Sequence, residues 1–108
     1  MKRLLKGSIK MTNQEFINKA KQLVADYTND HMDKTDFTDE PLSDPRIFPS
    51  DVYVVWLAKT LQNAKALLST TVSDGMYYEI TLSGDNGEIY FDAYKKFENV
   101  VYNVERVD

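Results

Sequence analysis

The chain has 108 residues, 43% hydrophobic and 12% aromatic, which fits one domain with a single modest core. It contains no cysteine, which excludes disulfides, thiolate metal sites and cysteine nucleophiles, and no apolar run approaches the roughly 18 residues of a membrane span. The net charge of −4 is uneven: residues 1–10 carry four bases and no acid, leaving nine bases against 17 acids over residues 11–108. An acidic body of this kind repels nucleic-acid phosphates and suits a basic protein partner or plain solubility.

The first ten residues, MKRLLKGSIK, read as a detached leader, untranslated in nature or expression-derived, with Met11 as the biological start. Leu4 and Leu5 form too short an apolar patch for a secretory signal. From Thr12 the pattern is helical. Thr12 with Glu15 three residues on is a capping box. Phe16, Ile17, Ala20, Leu23, Val24 and Tyr27 then recur on one face, predicting an amphipathic helix over 13–31. His31 at its end is expected to be partly buried, with its cation favoured by the helix dipole. Residues 33–50 break every period and hold all three prolines in an acidic connection. Asp30, His31, Asp33, Asp36 and Asp39 match no metal-binding spacing, so the segment reads as a solvated loop tacked down by Phe37, Leu42, Ile47 and Phe48.

After Asp51 the chain reads as strands. VYVVWLAKTL (52–61) is apolar on both faces, with Val54, Trp56 and Ala58 on one side and Tyr53, Val55 and Leu57 on the other. Gln62-Asn63 supplies a turn into AKALLSTTV. MYYEITL alternates, placing Met76, Tyr78, Ile80 and Leu82 inward. After SGDNG, EIYFDA places Ile89, Phe91 and Ala93 inward, and VVYNVERV is a candidate fifth strand. The expected fold is α+β: an N-terminal amphipathic helix packed on a four- to five-stranded antiparallel meander.

Between the second and third strands, a three-residue loop Ser73-Asp74-Gly75 with Gly75 at positive φ predicts the pairs Thr70–Tyr78 and Leu68–Ile80. In that register Ser69 and Asp92 flank Glu79, and Ser69 and Ser73 are strand and turn residues that nothing activates as nucleophiles. Carboxylates opposite each other destabilise a sheet, so a lysine (Lys59, Lys65, Lys95 or Lys96), a cation or a basic partner is expected beside Glu79 and Asp92. No catalytic set, metal-ligand set or cofactor motif is present. The candidate binding residues are Trp56, Lys59, Tyr77, Glu79, Tyr90, Asp92, Lys95 and Lys96. The second face of the sheet requires a lid, for which the candidates are the proline-containing loop, a second copy of the chain in a homodimer, or another protein.

The run from TLQNAKALLST through DGMYYE to DAYKKFENV resembles a family of small proteins encoded by phages and prophages of Gram-positive bacteria, a domain of unknown function. The resemblance spans roughly residues 12–104, and the acidic loop here is longer than the family's link. It implies a cytoplasmic accessory protein and assigns no site residue. Three functions follow as expectations. The first is an interaction protein that modulates a host or phage protein, for example an inhibitor of a nucleic-acid-binding or defence protein. The second is a divalent-metal enzyme using Glu79 and Asp92. The third is a single-strand binder stacking bases on Tyr53, Tyr77 and Tyr90, which lacks the basic groove such binding needs.

Overall fold

The computed structural model describes residues 10–31 and 46–105. Asn13–His31 forms the helix α1. Its N-terminus is closed as the sequence predicts: Thr12 N donates to Glu15 Oε1 at 2.8 Å and Glu15 N to Thr12 Oγ1 at 3.0 Å. Phe16, Ala20, Val24, Ala25 and Thr28 are buried along one face, with Leu23 and Tyr27 partly buried beside them. His31 departs from expectation. It is exposed, stacks on Tyr27 at 4.0 Å, and its Nδ1 lies 2.9 Å from the Tyr27 carbonyl oxygen.

Four strands follow, β1 (Val52–Thr60), β2 (Asn63–Thr70), β3 (Met76–Ser83) and β4 (Glu88–Lys95), in one antiparallel sheet of order β1-β2-β3-β4. The meander places α1 across one face, against β1, β2 and β3, and Tyr27 meets Phe91 of β4 at 5.0 Å. Phe16, Val24, Leu68, Tyr78, Ile80 and Leu82 are the largest fully buried side chains. Each aliphatic one contributes about 1.5–3 kcal/mol by leaving water.

Of the acidic connection, only residues 46–50 are described. Ile47 enters the core on the helix side, and its backbone is gripped by Asn29 from both directions (Ile47 N to Asn29 Oδ1, 2.8 Å; Asn29 Nδ2 to Ile47 O, 3.0 Å). Phe48 is exposed, and a 3-10 turn, Pro49–Asp51, delivers the chain into β1. Phe37 and Leu42, like residues 1–9 of the expected leader, lie outside the described residues. Lys10 is exposed and Met11 packs against the core.

Four further sequence expectations are corrected. First, the loop between β2 and β3 spans residues 71–75, and the register pairs Leu68 with Tyr78 and Ala66 with Ile80, two residues from the predicted one. A slip of two keeps every side chain on its face, so the inward set and the positive φ of Gly75 (+72°) both stand. Secondly, β1 carries a bulge: Val54 pairs with Leu68 and Trp56 with Leu67, leaving Val55 unpaired. The bulge reverses parity midway, so Val52, Val54 and Leu57 face the helix while Tyr53, Trp56 and Ala58 face away. Thirdly, the first turn is Leu61-Gln62, not Gln62-Asn63; Leu61 takes the positive φ (56°) usually left to glycine and is exposed. Finally, residues 100–105 form no strand, so the sheet has four strands.

Candidate functional site

The face of the sheet opposite α1 is organised by the three registers. One row crosses all four strands as Trp56, Leu67, Glu79 and Asp92, and the next as Ala58, Lys65, Thr81 and Tyr90. On the other side Tyr77 pairs with Tyr94, and Tyr53 stands opposite Ser69. Trp56 is 41% exposed and Tyr94 52%, with Tyr53, Val55 and Tyr90 between these values. The result is an aromatic surface with two carboxylates in its middle.

Glu79 and Asp92 are direct cross-strand partners, as the sequence predicts, and of the four candidate lysines Lys65 answers them, its Nζ 3.7 Å from Glu79 Oε1. At that distance and exposure the pair contributes less than about 1 kcal/mol, and it leaves Asp92 without the same compensation. The Tyr94 hydroxyl lies 3.5 Å from Glu79 Oε1, and the negative charges of Glu79 and then Asp92 push its pKa above the ordinary 10. Glu79's other cross-strand neighbour is Leu67 rather than Ser69, because of the two-residue shift. Ser69 is buried, and its hydroxyl donates to the Met76 carbonyl at 2.8 Å, which makes it a structural hydroxyl.

Of the predicted binding residues, Trp56, Tyr77, Glu79, Tyr90 and Asp92 come together on this face. The lysines do not. Lys59 pairs with Ala64 on the helix side and donates to the Leu61 carbonyl at 2.8 Å. Lys95 pairs with Met76, and its Nζ donates to the Asp74 carbonyl at 2.7 Å, bracing the β2–β3 loop. Lys96 follows β4 and is exposed. Sequence reasoning missed Tyr94 and Leu67. Tyr94 was legible as the next outward residue after Asp92, had β4 been carried to Lys95.

Among the described residues no group of three or more His, Asp or Glu side chains is placed to hold a metal ion, and Asp33, Asp36 and Asp39 lie outside them. A cleft of about 460 Å³ opens between the start of α1 and the β1–β2 turn, lined by Lys10, Met11, Thr12, Glu15, Lys59, Leu61 and Gln62. Its helix N-terminus is already occupied by the capping box. No described helix is long and apolar enough to cross a membrane.

A family model matches residues 17–104, from the second turn of α1 to beyond β4. The chain belongs to the Family of unknown function (DUF6275). The match takes in all four strands and the whole aromatic face, so the surface described above lies inside the family's domain. No curated protein and no solved structure matches the chain significantly.

Proposed function

We propose that this protein is a binding module whose outer sheet face takes a basic surface of another protein. The observation that carries this reading is the row Trp56, Leu67, Glu79 and Asp92, bordered by exposed tyrosines. Tryptophan and tyrosine supply large contact area at small entropic cost and dominate binding energy at interfaces. Carboxylates among them favour an arginine or lysine, which can pair with the acid and stack on a ring at once. The acidic balance of residues 11–108 steers such a partner towards the face. Nucleic-acid-binding proteins expose arginines and lysines of this kind. The reading therefore extends to a phage- or prophage-encoded accessory protein that covers the nucleic-acid-binding site of a host or defence protein. The resemblance noted in the sequence supports that context.

The same geometry disfavours the alternatives. Glu79 and Asp92 put negative charge among the rings on which a single strand would stack, which repels its phosphates, and Lys65 competes with a metal ion for Glu79. Affinity capture from the bacterium that encodes the chain tests the proposal, comparing wild type with Trp56→Ala and Asp92→Lys after circular dichroism has verified their folds. The expected result is a basic protein held by wild type, released by high salt and lost with both variants. Capture that both variants retain, or a captured protein without a basic surface, overturns it.

A further inference from the structure

The chain keeps one more contact with the sheet after the last pair of β4, Met76 with Lys95. Lys96 still donates its N–H to the Gly75 carbonyl at 2.8 Å, and residues 97–105 run on without turn, bend or helix. This run is strongly apolar for a surface: Phe97 is 96% exposed, Val101 81% and Val104 87%. VVYNV (100–104) has the β-branched and aromatic composition of a strand, yet no strand among the described residues pairs with it. The free edge of β4 likewise carries no strand among the described residues. Proteins guard such edges unless the edge has a partner. The family match runs to residue 104, so this segment belongs to the shared domain.

The geometry points to a second copy of this chain as that partner: residues 89–105 of two copies pair antiparallel about a twofold axis, joining two four-stranded sheets into one. The axis stands perpendicular to the sheet, so the residue on it faces its own equivalent. Charge decides among the three residues that directly follow β4. Lys96 on the axis sets lysine against lysine, and Glu98 on the axis sets glutamate against glutamate, both destabilising. With Phe97 on the axis, Lys96 lies opposite Glu98 of the partner subunit, twice by symmetry. Carrying the alternation of β4 onward, Tyr94 then meets Val100 of the partner subunit on the outer face. Ala93 meets Val101 of the partner subunit on the other, and Phe97 meets Phe97 of the partner subunit. These are the aromatic and β-branched pairs that stabilise sheets. The dimer uses the edge of β4 and leaves the row around Trp56 open, so it stands or falls separately from the binding proposed for that face.

The chain has no cysteine, so Phe97→Cys introduces a single thiol. Directly opposed Cβ atoms lie about 4.5–5.5 Å apart, within a small adjustment of disulfide geometry. Mild oxidation of the full chain is expected to give a covalent dimer with Phe97→Cys far faster than with Leu61→Cys, on the exposed β1–β2 turn. In sedimentation at micromolar concentration wild type is expected to run as a dimer. Glu98→Lys is expected to shift it to monomer, and adding Lys96→Glu to restore the dimer. A monomeric wild type, or a dimer indifferent to Glu98→Lys, overturns the proposal. Faster cross-linking of Lys96→Cys or Glu98→Cys than of Phe97→Cys overturns the register.

Discussion

Tyr78 joins the two layers of the domain. Its ring packs against both Tyr27 and Phe91, at 5.6 and 5.7 Å, and its hydroxyl accepts from the buried Thr28 hydroxyl at 3.4 Å. Burial pushes its pKa above the ordinary 10, with Asp74 and Tyr27 adding to the rise and the Thr28 hydroxyl opposing it. A folded pKa above the unfolded one means that the folded state binds more protons in the window between them. The stability this contributes is therefore complete below about pH 10 and lost as pH rises through the folded value. Denaturant midpoints measured from pH 8 to 11 are expected to fall more steeply for wild type than for Tyr78→Phe. Parallel declines would show that Tyr78 does not carry this dependence. The inward place of Tyr78 was legible from the alternation of MYYEITL, whereas its hydroxyl partner was not, since Thr28 lies 50 residues away.

At the scale of elements, the hairpin of β2 and β3 turns on Gly75, whose φ of +72° strains any residue with a Cβ. An added Cβ there meets nothing closer than 3.8 Å, so the cost is backbone strain and not collision. Gly75→Val is expected to destabilise by roughly 1–2 kcal/mol, and Gly75→Asn by less, because Asn tolerates that region. Equal losses in thermal unfolding would contradict this account of the turn. The sequence revealed that glycine's role but not the loop length, because registers two residues apart bury the same side chains. It also hid the bulge at Val55, since a strand apolar on both faces gives no parity signal to break. The strand composition of VVYNV was plain, but pairing depends on what lies across from it, and the described residues offer no such neighbour.

At the scale of the whole molecule, the described residues place one helix on one face of a four-stranded sheet, and no described element covers the other, with its aromatic rows and two carboxylates. The central claim is that this open face is the one that binds. Trp56 is the single tryptophan and stands in the middle row, so its fluorescence reports on that face alone. Its emission and acrylamide quenching, measured free and then with the captured basic protein, test the claim most directly. In the free chain the indole is expected to emit as a solvent-accessible group, whatever the concentration. On binding, its emission should shift to the blue and its quenching should fall. An indole already shielded in the free chain, or one whose emission and quenching do not change when the partner binds, would contradict the account.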